Sequence, residues 1–143
     1  MQGVQPKNIF IVDDDPMISE LLKDYLVDQW SHNVTMIGTG EECLARMHEY
    51  PDIIILDYIL NSVHKEAVDG IEILQFIKVN YPKIRILMLS GREQLQLATQ
   101  SLQIGAEKYV LKTEDAFDEI ADLVNVDWNY LQKIQSDLIE LKQ

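Results

Sequence analysis

The chain lacks the features that mark secreted and membrane-spanning proteins. Its 143 residues include one cysteine, Cys43, which excludes an internal disulfide. No apolar run approaches the length of about 18 residues that a membrane-spanning helix needs, and no basic and then apolar start resembles a secretory signal. We therefore expect a cytoplasmic protein that does not act in a membrane.

Basic residues are also scarce. The chain carries 12 Lys and Arg against 24 Asp and Glu, a formal net charge of −12. Because affinity for nucleic acid rests mainly on cations that neutralise phosphates, this balance argues against direct nucleic-acid binding. Neither a glycine-rich dinucleotide loop nor a nucleophile elbow is found, which disfavours a metabolic enzyme. The length and the 47% share of hydrophobic residues fit one globular domain with its own core.

What the chain does have is four short apolar runs, each ending in a polar side chain. Runs of this length are typical of strands buried on both faces of a parallel sheet. The runs and the side chains that follow them are 9–12 with Asp13 and Asp14, 53–56 with Asp57, 84–89 with Ser90, and 109–111 with Lys112.

The order of strand-like and helix-like patterns predicts an α/β fold. Strands are expected at 9–12, 34–37, 53–57, 84–89 and 108–112, and helices at 16–30, 41–50, 71–80, 93–104 and from Phe117 onward. Strict alternation predicts a doubly wound, five-stranded parallel sheet of order 2-1-3-4-5, with helices on both faces and an extended C-terminal helix. In that order the first and third strands are neighbours. Asp13, Asp14 and Asp57 then meet at the point where such folds bind ligands.

Three carboxylates in one place repel each other unless a cation neutralises them. Oxygen ligands suit Mg²⁺, or Mn²⁺, whose coordination is often completed by phosphate oxygens. Lys112 supplies a positive charge for a phosphoryl group, and Ser90 supplies a hydrogen-bond donor. This set favours formation of an aspartyl phosphate, with one carboxylate as the nucleophile.

At these residues the sequence closely resembles the receiver domain of two-component response regulators. The resemblance extends from residue 7 to about residue 125. The segments that carry it are Val12 to Pro16, Gly40 to Glu42, Pro51 to Asp57, Asp69-Gly70, Leu89 to Gly91, Gly105-Ala106 and Tyr109 to Lys112.

The resemblance implies a phosphorylation-dependent switch rather than a metabolic enzyme. Its phosphoryl donor would be the phosphohistidine of a sensor histidine kinase or a phosphotransfer protein. Its signalling surface would be formed by the fourth helix, the fifth strand and the fifth helix. The roles implied are phosphoacceptor for Asp57, metal ligand for Asp13, Asp14, Asp57 and the backbone carbonyl of Ile59, switch residue for Ser90 and Tyr109, and phosphoryl-binding cation for Lys112.

Two departures from the family pattern leave an alternative open. Thr113 stands where the family usually has a proline, and eleven residues, more than usual, separate Asp57 from Asp69. With the switch impaired, the chain would be a weakly gated or constitutive dimerisation and adaptor domain of the same fold.

The C-terminal part carries an apolar stripe from Phe117 to Leu141 at a three-four spacing. One helix of this length would extend past the sheet, since 28 residues span about 42 Å. Either its distal half packs on a second copy as a coiled coil, which we favour, or the chain breaks near Asn125 to Asp127 and folds back. We accordingly expect a receiver domain at 1–125, a helical extension at 126–143, a homodimer, and a possible output domain beyond this sequence.

Overall fold

A computed structural model of the chain describes residues 4–60, 66, 68–126 and 128–142. Among them, five parallel strands form one sheet in the predicted order β2-β1-β3-β4-β5. The strands are β1 (Asn8–Val12), β2 (Asn33–Ile37), β3 (Ile53–Asp57), β4 (Arg85–Ser90) and β5 (Lys108–Leu111). Every predicted strand is present, with bounds confirmed to within one residue at each end.

Six α-helices connect and follow the strands in the described residues. They are α1 (Pro16–Trp30), α2 (Gly40–Ala45), α3 (Gly70–Asn80), α4 (Leu95–Ile104), α5 (Ala116–Asn125) and α6 (Trp128–Leu141). The start of α1 is as predicted: Pro16 occupies the first turn, and the Asp15 carboxylate caps the helix by accepting from the Met17 N–H at 3.0 Å.

The prediction of one helix over 41–50 is wrong in its second half. α2 ends at Ala45, and a separate 3-10 turn covers Met47–Glu49. Arg46 leaves helical angles, and its guanidinium binds both carboxylate oxygens of Glu49, at 2.7 and 3.1 Å. Tyr50 then takes a positive φ of 49°, which turns the chain toward β3.

Alternate residues of the central strands build two separate cores. On one face, Ile54 and Leu56 pack with residues of α2 and α3, whereas Ile53 and Ile55 pack on the other face with α1 and α5. Burial on both faces accounts for the uninterrupted apolar runs in the sequence. It also holds the strand ends in a rigid array.

The fourth helix is held less firmly than its neighbours. α4 buries only Ser101, whose hydroxyl donates to the Leu97 carbonyl at 2.9 Å, while Leu95 and Leu102 are exposed. Its first residue follows Gln94, which makes no side-chain cap. A helix with so little buried apolar surface needs little free energy to shift.

The C-terminal stripe does not form one continuous helix. Of the two arrangements that the sequence left open, the structure shows the break: α5 ends at Asn125, Val126 is extended, and α6 begins at Trp128. Asp127, the last residue of the expected break, lies outside the described residues. Residues Leu138 and Leu141 of α6 are exposed in the single copy.

Cationic side chains bind the backbone at the break. The Lys7 ammonium donates to the carbonyls of Val124 and Val126, the latter at 3.2 Å. Arg85 donates to the Leu123 carbonyl at 2.7 Å. The last carbonyls of a helix have no N–H partner within the helix. These side chains therefore satisfy carbonyls that the end of α5 leaves open.

Candidate functional site

The ends of β1 and β3 bring the predicted carboxylates together. Val12 pairs with Leu56 in the register of these two strands, so Asp13 and Asp57 emerge side by side. Carboxylate oxygens of Asp13, Asp14 and Asp57 all lie within 4.8 Å of one another. Asp13 and Asp57 are only 3% and 5% exposed.

Lys112 lies directly against two of these acids. It follows β5, and its N–H donates to the Ser90 carbonyl at 2.8 Å, which fixes the end of β5 beside β4. Its ammonium nitrogen is 3.3 Å from Asp13 Oδ2 and 3.3 Å from Asp57 Oδ1. The peptide between Lys112 and Thr113 is trans.

Burial and mutual repulsion dominate the electrostatics of this cluster. Burial, and secondly the charge of Asp13, raises the pKa of Asp57 to about 7, although the Lys112 cation acts in the opposite direction. Burial by itself lowers the pKa of Lys112, but attraction to Asp57 and then Asp13 outweighs it, so this pKa is raised. Three carboxylates and one ammonium leave an excess of negative charge. This oxygen-rich, partly buried set fits a divalent cation.

A second set of predicted residues borders the same site. A cavity of about 360 Å³ is lined by Asp14, Asp15, Asp57, Ile59, Ser90, Gly91, Arg92 and Lys112. The predicted carbonyl ligand, Ile59, and the predicted hydroxyl donor, Ser90, thus lie with the acids and the lysine.

Tyr109 does not line this cavity, but it is linked to Ser90 through one residue. The Ser90 hydroxyl oxygen accepts from the Arg92 N–H at 3.0 Å, while the Tyr109 hydroxyl donates to the Arg92 carbonyl at 2.8 Å. Both predicted switch residues therefore hold the backbone of Arg92. Sequence reasoning missed Arg92, because an exposed arginine in a loop carries no pattern that would single it out.

The first residues after Asp57 are held by hydrogen bonds to β4 and to Asp69. The Tyr58 N–H donates to the Leu89 carbonyl at 2.9 Å, and the Asp69 carboxylate accepts from the Leu60 N–H at 3.1 Å. From the sequence, Asp69-Gly70 is known only as one of the segments that resemble the family. Its physical role is to join the beginning of this loop to the start of α3.

The two histidines that the structure describes, His32 and His48, are not part of the site. His32 is buried; its Nδ1 accepts from the Lys7 N–H at 3.1 Å and its Nε2 lies 2.7 Å from the Asn125 side-chain oxygen. His48 is exposed and contacts the Ala45 carbonyl. His32 therefore has a structural role and His48 lies at the surface, whereas His64 lies outside the described residues.

Comparison with known protein families places this arrangement of acids, hydroxyl and ammonium in one family. The family described as the response regulator receiver domain matches residues 9–125. The chain belongs to this family, the receiver domains of two-component systems. VraR, a response regulator protein of Staphylococcus aureus, is 35% identical over 118 residues, which are 81% of this chain and 54% of VraR. The chain spans about half the length of the curated relatives it matches.

Solved receiver structures share the fold. The BeF3-activated receiver domain of DrrB, from Thermotoga maritima, superposes with a TM-score of 0.72 at 25% identity, over 84% of this chain and 95% of that chain. NtrX from Brucella abortus gives a TM-score of 0.76 at 25% identity, over 94% of this chain and 30% of that chain. In the part of the chain that the structure describes, no helix has both the length and the apolar character needed to cross a membrane.

Proposed function

We propose that this receiver domain is a signalling switch that takes a phosphoryl group onto Asp57 in a Mg²⁺-dependent reaction, with Mn²⁺ as a substitute. The observation that supports this best is the position of the Asp57 carboxylate. It lies at the end of β3, within 4.8 Å of two other acids and 3.3 Å from the Lys112 ammonium. The donor in this proposal is the phosphohistidine of a sensor histidine kinase or a phosphotransfer protein.

The side chains of this domain that take part in the transfer, Asp57, Lys112 and Ser90, all line the cavity. A carboxylate oxygen of Asp57 attacks phosphorus, the phosphorus–nitrogen bond breaks, and the imidazole nitrogen of the donor keeps the electron pair. The Lys112 ammonium neutralises negative charge on the phosphoryl oxygens, and the Ser90 hydroxyl donates a hydrogen bond to one of them. Water then attacks the aspartyl phosphate, which releases inorganic phosphate and restores the carboxylate. In this proposal the domain catalyses only its own phosphorylation and dephosphorylation and is no metabolic enzyme.

A bound divalent cation would supply further neutralisation of the phosphoryl oxygens. Asp13, Asp14, Asp57 and the Ile59 carbonyl would hold it, and Asp14 would be a direct ligand. Because the pKa of Asp57 is about 7, much of this carboxyl is protonated at neutral pH when no such cation is near. Cation binding would favour the ionised, nucleophilic form.

The phosphoryl signal would leave the site through the backbone of Arg92. Ser90 is buried and holds the Arg92 N–H, and Tyr109 holds the Arg92 carbonyl. If Ser90 turns toward a phosphoryl oxygen, the segment before α4 is displaced and Tyr109 loses its partner. The weakly buried α4, with β5 and α5, would then present a changed surface to a partner.

The remaining assignments form part of the same proposal. Residues 1–125 would be the receiver domain and 126–143 a helical extension that carries the signal to a dimer partner or to an output domain. The exposed Leu138 and Leu141 side chains of α6 support association with a second copy. The protein would act in the cytoplasm, where histidine kinases present their phosphohistidine.

A constitutive adaptor of receiver fold is the second candidate. The observation in its favour is the same exposed apolar surface of α6, which would favour association with or without phosphorylation. In that case Asp57 would take up phosphate slowly or not at all.

Intact-mass measurement with acetyl phosphate and Mg²⁺ distinguishes the two. We expect the mass of one phosphoryl group on the native chain and none on Asp57→Asn, because an amide is no nucleophile. Asp52→Asn, at the other end of β3, is the matched control and should be phosphorylated like the native chain. An unchanged adduct on Asp57→Asn would place the phosphoacceptor elsewhere, and no adduct on the native chain would favour the adaptor.

A further inference from the structure

We propose that Asp69 is a positioning residue for the metal site, acting through the peptide group that joins Ile59 to Leu60. The proposal rests on the function proposed above, in which the Ile59 carbonyl is a ligand of the divalent cation. It adds a residue that lies outside the acidic cluster and outside the cavity of the site.

One oxygen of Asp69 binds two backbone groups at once. Asp69 Oδ1 accepts from the Leu60 N–H at 3.1 Å and from the Gly70 N–H at 2.9 Å. The Gly70 N–H also lies 3.2 Å from the Tyr58 carbonyl. The carboxylate therefore joins the start of α3 to the segment that directly follows Asp57.

The Leu60 N–H and the Ile59 carbonyl belong to the same peptide group. This group is planar and trans, so its N–H and its C=O point in opposite directions. A carboxylate that holds the N–H on one side therefore fixes the direction of the carbonyl on the other. Ile59 lines the cavity that contains Asp14 and Asp57, which is the side on which a cation would be held.

The charge of Asp69 adds to this orientation. A hydrogen bond from a peptide N–H to an ionised acceptor is stronger than one to a neutral acceptor, and it polarises the peptide so that its carbonyl oxygen becomes more negative. A more negative oxygen is a better ligand for a hard cation. Groups that orient metal ligands in this way change metal affinity by about 10- to 100-fold when they are removed.

The surrounding packing makes this arrangement independent of the rest of the long loop. The Leu60 side chain is buried in the core between the sheet and α3, and the Tyr58 N–H is bonded to the Leu89 carbonyl. Residues 58–60 are thus fixed at both backbone and side chain before the chain enters residues 61–67. The extra residues between Asp57 and Asp69 therefore come after a segment whose position is already fixed.

The test compares Mg²⁺ affinity among three variants of the full chain by calorimetry and by NMR of the Leu60 amide. Asp69→Ala should weaken Mg²⁺ binding by about 10-fold or more, since it removes the acceptor. Asp69→Asn keeps an oxygen at the same place without the charge. Its Mg²⁺ affinity should therefore lie between that of the native chain and that of Asp69→Ala. In Asp69→Ala the Leu60 amide proton should also shift upfield before any metal is added.

Asp52→Ala is the matched control, because the Asp52 carboxylate likewise accepts from a backbone N–H, that of Asn8 at 2.8 Å, but at the far end of β3. It should leave Mg²⁺ affinity unchanged. Urea unfolding in EDTA shows whether a loss of affinity merely follows a loss of fold. Equal affinity in Asp69→Ala and the native chain would overturn the proposal for Asp69, whereas absence of Mg²⁺ binding by the native chain would overturn the proposed function.

Discussion

The raised pKa of Asp57 predicts that the metal-free protein loses stability as pH rises. An exposed aspartate has a pKa of 3.8, and that of Asp57 is about 7, chiefly because the group is buried and secondly because Asp13 lies beside it. The folded chain thus holds this proton more tightly than the unfolded chain. Between these two pKa values the unfolded state has lost the proton and the folded state has not, so the free energy of unfolding falls with increasing pH.

The size of the effect follows from the two values. Their difference is about three, and each pKa unit corresponds to about 1.4 kcal/mol, so the full loss is about 4 kcal/mol. It begins near pH 4 and is complete somewhat above pH 7. A loss of this size is a large fraction of the stability of a small domain.

Urea unfolding in EDTA at about pH 4, pH 7 and pH 8.5 tests this prediction, because these values bracket the transition. Asp57→Asn should be the more stable protein at the highest pH and should lack most of the pH dependence. Adding Mg²⁺ should restore the stability of the native chain at high pH, because the cation neutralises the ionised Asp57 carboxylate. If Asp57→Asn and the native chain show the same pH dependence without metal, buried charge at Asp57 is not what limits stability.

Three further perturbations test other parts of the structure. Lys112→Ala should still bind Mg²⁺ in calorimetry but should slow phosphorylation by about 100-fold in intact-mass time courses, because the phosphoryl group loses its cation; weaker Mg²⁺ binding would contradict this role. Gly70→Ala would place a Cβ 2.1 Å from the Asp57 carbonyl oxygen, so it should lower the free energy of unfolding in urea by about 3 kcal/mol. Gly38→Ala is its control, because a Cβ at Gly38 meets no atom within 4 Å. Equal stability of these two variants would refute the close approach. Light scattering should show a dimer for the full chain and a monomer for a chain ending at Val126. Beryllofluoride, a mimic of the phosphoryl group, should alter the dimer of the full chain. Monomers in all cases would exclude association through α6.

The sheet and most of the site could be predicted from the sequence because local patterns determine them. Residues 53–56 are apolar without interruption because both faces of β3 are covered. The first polar side chain, that of Asp57, comes where the strand reaches the carboxyl end of the sheet. Asp57 is therefore placed by its neighbours in the chain. Lys112 and Ser90 follow by the same reasoning, since parallel strands bring their carboxyl ends to one edge.

The features that could not be predicted depend on contacts between distant residues. The carbonyls at the end of α5 are bound by Lys7 and Arg85, neither of which belongs to the helical pattern of this segment. The contact between Asp69 and the Leu60 N–H likewise leaves no trace in spacing or composition. A side chain that binds a backbone group can be of almost any polar type, so the sequence offers no pattern by which to find it.

The hydrogen bonds of Lys7 connect the segment before β1 to the end of α5. Lys7 immediately precedes β1, at the edge of the sheet opposite the carboxylates, and its ammonium binds the carbonyls at the end of α5. Strands of four to six residues separate the two edges by about 13–20 Å. A chain that begins at residue 8 lacks the Lys7 ammonium. It should therefore lose these hydrogen bonds at the end of α5, while the acidic cluster at the opposite end of the sheet stays in place.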